Sequence, residues 1–187
     1  RLVYQEYIEN RKICEAIHYF GEEVWHDEEY AGFMSLTCQA VGGEPKKTTQ
    51  LGASLTLIRG AMDIHDDIID EQYNKANKPT LFGKYGPHTS LLIGDLLLFK
   101  GLAQLYQTIS QLPPKEGLTI ANMVKHSLFE VGTAIASETD FRGSFDIPPE
   151  DLMKILTQKS TLAGVYGKIG AVIGGANEAQ VNALGEF

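Results

Sequence analysis

The sequence has few cysteines and no excess of positive charge. Its two cysteines, Cys14 and Cys38, form no C-x-x-C pair and lie near no histidine cluster, which predicts reduced thiols and a cytoplasmic protein. Acidic residues number 24 against 16 lysines and arginines, so the net charge is -8. An acidic chain has no general attraction for phosphate backbones or anionic lipids, and nucleic acid is therefore not expected as a partner.

Long apolar runs are also absent. A membrane-spanning helix needs roughly 18 consecutive apolar residues. The longest candidate, residues 91–99, is interrupted by Gly94 and Asp95, so no transmembrane segment is expected. Hydrophobic residues nevertheless make up 43% of the 187 positions, which is enough for a sizeable core. We expect one domain over residues 1–187.

Proline is missing from long stretches of the chain. All 7 prolines fall in four clusters, which mark helix boundaries: Pro45, Pro79 with Pro87, Pro113 with Pro114, and Pro148 with Pro149. Between the clusters, apolar residues recur at helical spacing, and no sustained alternation predicts strands. We therefore expect an all-α, antiparallel helical bundle, with helices over 2–24, 31–42, 46–70, 88–111, 116–140, 149–173 and 177–187. Residues 72–87 are expected to form a long loop.

Four aspartates end the third predicted helix. Asp63, Asp66, Asp67 and Asp70 stand at i, i+3, i+4 and i+7, which places their carboxylates on one stripe. At about 5.5 Å and an effective dielectric of about 20, a like-charged pair costs roughly 3 kcal/mol, and the helix dipole adds to this cost. Mg²⁺ would relieve it, since it typically binds one or two carboxylates plus substrate phosphates. The alternative is a solvated acidic face. His65 lies off the stripe and is expected to be a packing residue.

Three ordered motifs around this stripe resemble those of the trans-isoprenyl diphosphate synthase family. They are the run Asp63–Glu71, the segment Lys78-Pro79-Thr80 with Gly83-Lys84-Tyr85-Gly86, and the run Gly94–Leu98. The likeness extends through Phe141-Arg142-Gly143 and Gln158-Lys159-Ser160-Thr161, and it covers roughly residues 35 to 187.

The resemblance implies a fold and a reaction. The fold would be a helical bundle of the isoprenoid synthase type around a central apolar cavity, in a homodimer. The reaction would be the Mg²⁺-dependent condensation of an allylic diphosphate with isopentenyl diphosphate to a longer trans-prenyl diphosphate.

The resemblance also assigns roles to residues. Asp66 and Asp70 would be the principal metal ligands, with Asp67 in support. Lys159 would clamp the allylic diphosphate and would be catalytic together with Asp66 and Asp70. The substrate-binding positions would be Lys75, Lys78, Lys159 and Ser160.

Product length is implied by the residues before the aspartate motif. In this family the positions four and five residues upstream limit the growing chain. Here they are Met62 and Ala61, with Ile58 lower on the same face, and none is aromatic. The resemblance therefore implies a product of geranylgeranyl size or longer. The alternative is that these side chains simply pack against another helix.

The sequence departs from the family pattern in three places. The family's basic segment would fall near residues 25–31, where the chain reads Trp-His-Asp-Glu-Glu-Tyr-Ala, and acids cannot hold a diphosphate without metal. The usual Arg-Arg is Lys75-Ala76, and lysine lacks the forked donors of arginine. The second aspartate-rich motif would follow Phe187, so we expect a chain that is incomplete on its C-terminal side.

Two alternatives to an active synthase stay open. The acids that replace the basic segment favour a catalytically silent subunit of the same family. A class I terpene cyclase also uses D-D-x-x-D with Mg²⁺, although Lys78-Pro79-Thr80 and Gly94-Asp95 fit such an enzyme less well.

Overall fold

The computed structural model describes residues 8–25 and 29–186. Over these residues the chain is all-α apart from one very short hairpin, which confirms the predicted fold class. The helices are α1 (Arg11–Tyr19), α2 (Glu29–Ala40), α3 (Thr49–Ile69), α4 (Leu81–Ile109), α5 (Pro114–Asp140), α6 (Pro149–Ile173) and α7 (Glu178–Glu186). A π-helical turn, Phe20–Val24, continues α1, and a 3-10 turn, Pro45–Thr48, precedes α3. No helix among the described residues has the length and hydropathy of a membrane span.

Most predicted helix boundaries lie within about three residues of the observed ones, and two differ by more. The first helix begins at Arg11, because Asn10 is extended and its side chain accepts a hydrogen bond from the amide of Ile13. Residues 2–7 of that prediction lie outside the described residues. The predicted loop 72–87 is wrong in its second half, since α4 already begins at Leu81.

The early start of α4 has a local cause. Thr80 Oγ1 accepts a hydrogen bond from the amide of Gly83, and the Thr80 carbonyl accepts one from Lys84, so Thr80 caps the helix. Gly86 then leaves the helical region at φ 77°, a conformation that suits glycine. This kink allows Pro87 to lie inside α4, in a segment that the sequence predicts to be a loop.

A two-stranded antiparallel hairpin joins α3 to α4. Strand β1 is Asn74–Lys75 and strand β2 is Lys78–Pro79, with Lys75 opposite Lys78. Between them, Ala76 and Asn77 have φ angles of 46° and 65°, the left-handed signature of a type I′ turn. The hairpin carries Lys75 and Lys78, two of the three lysines that the resemblance implies for substrate binding.

The chain divides into two compact units. The first comprises Arg1–Glu28 and Ala53–Tyr106. Its core is built from apolar side chains of α1, the π-helical turn, α3 and α4: Ala16, Ile17, Phe20, Ala61, Ile64, Leu81, Ile93 and Leu97. This core buries one face of the helix that carries the aspartates.

The second unit comprises Glu29–Gly52 and Gln107–Phe187. Helix α6 is its central element and packs against α2, α5 and α7. Tyr166 of α6 is fully buried, and the centroid of its ring lies 5.3 Å from that of Tyr30 on α2. The predicted single domain and the predicted central cavity remain predictions.

Candidate functional site

The acidic end of α3 is accessible on one side and buried on the other. Ile64 lies in the core of the first unit, whereas Asp66 is half-buried and Asp70 is exposed. The amide of Asp70 donates to the carbonyl of Asp66 at 2.8 Å, so the helical turn continues through both residues. The carboxylates of Asp66 and Asp70 therefore project from neighbouring turns of the same face.

Helix α3 ends in a Schellman motif. The amide of Gln72 donates to the carbonyl of Asp67 at 2.8 Å, and the amide of Glu71 donates to that of Ile68 at 3.3 Å. Glu71 occupies the left-handed position of the motif with φ 49°, where glycine is usual. The chain thus reverses directly after the aspartates and leads back towards the helix as the hairpin.

Lys75 of the hairpin contacts two aspartates of α3. Its Nζ donates a hydrogen bond to Oδ1 of Asp63 at 2.8 Å and lies 2.6 Å from Oδ1 of Asp67. The contact with Asp67 is an ion pair without hydrogen-bond alignment. The Asp67 side chain is only 3% exposed, against 26% for Asp63 and 32% for Lys75. Lys75 therefore neutralises the most buried carboxylate of the stripe.

Burial and charge shift the pKa values of this bridge. Burial is the largest cause that raises the pKa of Asp67, to about 6; the charges of Asp63 and Asp66 raise it further, while Lys75 opposes them. Burial lowers the pKa of Lys75, but its hydrogen bond to Asp63 and the negative charges of Asp63 and Asp67 outweigh burial, so the net shift is upward. Lys75 is therefore charged at neutral pH.

Lys78 and Lys84 hold the hairpin and the start of α4 to the N-terminal helix. Lys78 Nζ donates to the backbone carbonyl and to Oε2 of Glu23, each at 3.0 Å. The hydroxyl of Tyr19 donates to the carbonyl of Pro79 at 2.7 Å. The Nζ of Lys84 lies 3.4 Å from the centroid of the Tyr19 ring.

Lys159 and Ser160 belong to α6 in the second unit. Lys159 Nζ forms an ion pair with Oε2 of Glu138 on α5. Ser160 Oγ donates to the carbonyl of Thr157, 2.8 Å away in its own helix. The structure thus brings Asp63, Asp67 and Lys75 together in one unit and pairs Lys159 with a different acid in the other.

Comparison with known proteins decides the family. The family model for polyprenyl synthetase matches residues 31–187, which is most of the chain. The chain belongs to the polyprenyl synthetase family. The geranylgeranyl diphosphate synthase of Sulfolobus acidocaldarius is 26% identical over 155 residues, covering 82% of this chain and 47% of that protein. The short chain isoprenyl diphosphate synthase of Methanothermobacter thermautotrophicus is 27% identical over 153 residues, covering 81% and 46%.

The same fold occurs in solved structures. The crystal structure of geranylgeranyl pyrophosphate synthetase from Pyrococcus horikoshii matches with a TM-score of 0.84 and 23% identity, covering 98% of this chain and 55% of that one. This polyprenyl synthetase chain therefore has the isoprenyl synthase fold. The chain spans about half the length of the curated relatives it matches.

The aspartates of the stripe are suited to a magnesium ion that is bound partly by carboxylates of the chain and partly by phosphate oxygens of a ligand. Among the described residues, no three His, Cys, Asp or Glu side chains form a preformed metal cluster. Mg²⁺ does not require one, because it keeps waters and takes one or two carboxylates plus phosphate oxygens. Asp66 and Asp70 meet this need on accessible turns. Asp67 would have to leave Lys75, and its supporting role remains a prediction.

The three chain-length positions differ in their surroundings. Ala61 is fully buried in the core of the first unit. Ile58 is also buried and packs against α4, where a Cβ on Gly101 would approach its Cγ1 to 2.7 Å. Met62 is only half-buried and lies one turn before Asp66. The packing of Ala61 and Ile58 agrees with the alternative interpretation, and the assignment of all three to product length remains a prediction.

Two residues of the neighbourhood, His65 and Asp63, have contact partners that the sequence pattern does not predict. His65 lies against α4 at Gly94, where any Cβ would collide with its ring, and its Nε2 is 3.4 Å from Oδ1 of Asp95. This position agrees with the expected packing role and explains why Gly94 precedes Asp95. Asp63 has no role in the resemblance, and the only sequence signal for its bridge is a lysine within the following loop.

The segment in place of the family's basic motif is described in part. His26, Asp27 and Glu28 lie outside the described residues. Trp25 stacks on Phe20 with ring centroids 5.6 Å apart, and the Arg59 guanidinium lies 5.7 Å from its ring centroid. Glu29 begins α2.

Proposed function

We propose that this chain carries the allylic-substrate site of a Mg²⁺-dependent trans-prenyltransferase. The enzyme condenses an allylic diphosphate with isopentenyl diphosphate to a longer trans-prenyl diphosphate and pyrophosphate. The observation that carries the proposal is the pair Asp66 and Asp70, which lies on accessible turns at the end of a helix whose other face is buried. The names of the relatives, both isoprenyl diphosphate synthases, support it.

Asp66 and Asp70 would hold magnesium together with the diphosphate of the allylic substrate. When bound, the metal supplies positive charge that stabilises the leaving pyrophosphate as the carbon–oxygen bond breaks. The double bond of isopentenyl diphosphate then attacks the allylic carbon, and the product loses a proton. The carboxylates of the chain fix the position of the departing pyrophosphate. Apolar surroundings keep water from the allylic carbocation that forms when the carbon–oxygen bond breaks.

The lysines of the chain would supply further charge to the diphosphates. Lys78 and Lys159 each pair with a glutamate that is more than half exposed, Glu23 and Glu138 respectively. Exposed ion pairs contribute about 0 to 1 kcal/mol, so phosphate oxygens can replace these glutamates at little cost. Lys159 would clamp the allylic diphosphate, with the hydroxyl of Ser160 beside it in sequence.

The product would be of geranylgeranyl size or longer. None of Ala61, Met62 and Ile58 is an aromatic residue that would close the path of the growing chain. Met62 is the best placed of the three, since it is half-buried and lies one turn before Asp66.

The partner would be a second copy of the chain. Helix α4 carries an exposed apolar stripe at i, i+4, i+7 and i+14, formed by Leu92, Leu96, Phe99 and Tyr106. An apolar stripe of this length favours burial against another protein surface. Sedimentation of wild-type protein and a Phe99→Glu variant tests this, and equal masses for both would exclude α4 as the contact.

The cytoplasmic location remains a prediction. Both cysteines are free thiols in the structure, which agrees with it.

The reaction is tested on the intact protein with an allylic diphosphate, labelled isopentenyl diphosphate and Mg²⁺. We expect elongation that requires the metal and falls by at least about a hundredfold in Asp66→Asn and Asp70→Asn, because each removes a carboxylate that would hold the magnesium bound to the diphosphate. Asp146→Asn, at an exposed loop position, is the matched control. Release of a hydrocarbon or alcohol would indicate a terpene cyclase. Absence of both turnover and diphosphate binding would indicate a silent subunit.

A further inference from the structure

We infer that Asp63 and Lys75 are positioning residues, whose bridge holds the hairpin Asn74–Pro79 against the acidic end of α3. Asp63 lies outside the D-D-x-x-D motif, and the resemblance assigns Lys75 to direct substrate binding instead. The inference rests on the proposed function, because the hairpin it positions follows directly after Asp66 and Asp70.

The geometry of Lys75 is that of a shared counterion. Asp63 and Asp67 stand one turn apart on α3, and the ammonium lies between them at 2.8 and 2.6 Å. Lys75 is the last residue of β1, directly before the type I′ turn. One side chain thus joins the tip of the hairpin to two successive turns of the helix.

The side chains of this bridge are more buried than those of a surface ion pair in the same unit. Its three side chains are 3% to 32% exposed. Arg11 and Glu15, in contrast, are 92% and 55% exposed. Exposed pairs contribute little, whereas the loss of one partner from a buried group leaves an uncompensated charge. The bridge therefore has a larger effect on local structure than a surface pair.

The hairpin needs such an anchor because its backbone is strained. Between α3 and β2, Glu71, Ala76 and Asn77 all have positive φ angles. Left-handed conformations of residues other than glycine cost roughly 1 to 2 kcal/mol each, with asparagine the least affected. Surrounding contacts must hold such a conformation, and the hydrogen bond from Lys75 to Asp63 is one of them.

The bridge also limits what Lys75 can do for the substrate. An ammonium held by two carboxylates reaches a phosphate oxygen only if they release it. Two assignments then make opposite predictions for Asp63→Asn, which keeps the shape of the side chain and removes its charge. If Lys75 positions the hairpin, the variant harms substrate binding. If Lys75 binds the diphosphate directly, the variant frees the ammonium and binding is unchanged or tighter.

The decisive experiment compares Asp63→Asn, Lys75→Met and the double variant in the intact protein. We expect each single variant to raise the KM for the allylic diphosphate about fivefold with a smaller change in kcat, and the double variant to be no worse than either, since residues in one network are not additive. A KM raised by Lys75→Met but unchanged or lowered by Asp63→Asn would overturn the inference.

Amide hydrogen exchange gives a readout that does not depend on activity. Without substrate or metal, we expect the amides of residues 72–80 to exchange about tenfold faster in both single variants, because the hairpin opens more often. The amide of Thr80, which bonds to the carbonyl of Tyr73 at 3.0 Å, is a direct probe. Unchanged exchange in both variants would overturn the inference, whatever the enzyme's activity.

Two further variants sharpen this readout. Lys75→Arg retains the charge and should restore slow exchange at residues 72–80, whereas continued fast exchange would contradict the bridge. Glu15→Gln removes a surface ion pair of the same unit and should leave the hairpin unchanged. The exchange result stands even if the proposed reaction is not observed, so failure of the inference and failure of the proposed function are distinguishable.

Discussion

His65 and Gly94 are in contact across α3 and α4, with the imidazole ring occupying the space where a side chain at position 94 would begin. The contact lies directly beside Asp66. It limits how closely α4 approaches the helix that carries the aspartates, and the sequence neighbours of the two residues, Ile64 and Ile93, both belong to the core of the first unit.

Gly94→Ala is therefore expected to destabilise the protein. The added methyl group would overlap Nε2 of His65, and overpacking of this kind typically costs about 1 to 3 kcal/mol. Urea unfolding measures the change. Gly132→Ala is the matched control, because Gly132 lies within α5 and a Cβ there meets no atom within 4 Å. That variant should be stabilised by about 0.5 to 1 kcal/mol through helix propensity. Equal effects of both substitutions would contradict the contact.

The raised pKa of Asp67 predicts a specific pH dependence of stability. A carboxyl whose pKa is higher in the folded than in the unfolded protein stabilises the fold while protonated. For Asp67 this contribution is fully present below about pH 4 and is lost as the pH rises through about 6. Asp67→Asn removes this titration. The unfolding free energy of the variant, relative to that of wild type, should therefore rise by up to about 3 kcal/mol as the pH is raised from 4 to 7.

Chemical unfolding of Asp67→Asn and wild-type protein at several pH values measures this difference. Asp146→Asn, at an exposed loop position, is the matched control. A stability difference for Asp67→Asn that stays constant from pH 4 to 7 would show that Asp67 titrates normally in the folded protein.

Helix boundaries could be predicted where the breaking residues act locally. Helix α6 runs over the predicted residues 149–173, because Pro148 and Pro149 start it and the Gly174-Gly175 pair follows its end. The start of α4 could not be predicted from Pro87, since the proline follows a glycine kink inside the helix rather than a loop. What decides this boundary is the cap by Thr80, a residue that the sequence pattern leaves inside a loop.

The aspartate stripe could be predicted, but its division of roles could not. Helical spacing alone places the carboxylates of Asp66 and Asp70 on one face. The bridge between Asp63 and Lys75 spans 12 positions and depends on a type I′ turn formed by Ala76 and Asn77. That turn typically carries Asn-Gly, so the sequence places a lysine in the loop after α3 but does not show that its side chain returns to the helix.

Substitutions of Lys78 and its partner test the assignment of Lys78 to diphosphate binding without a large change in folding stability. Its partner Glu23 is exposed, so Glu23→Gln should change the free energy of unfolding by less than about 0.5 kcal/mol. Lys78→Met should raise the KM for the allylic diphosphate about fivefold, through loss of a charge-assisted contact worth roughly 1 kcal/mol. Steady-state kinetics and urea unfolding measure both effects. A KM that Lys78→Met leaves unchanged would remove Lys78 from the binding site.

The different surroundings of Ala61 and Met62 separate a product-length effect from a packing effect. Ala61 is fully buried beside Phe20 and Ile64, so Ala61→Phe should destabilise the protein by about 1 to 3 kcal/mol. Met62 is half-buried, and Met62→Phe should leave the unfolding free energy within about 1 kcal/mol while shortening the prenyl product. Chromatography of the dephosphorylated products, together with melting curves, distinguishes the two. Met62→Leu is the control that keeps side-chain volume without an aromatic ring. If Met62→Phe gives products of unchanged length in a stable enzyme, the path of the growing chain does not pass this face of α3.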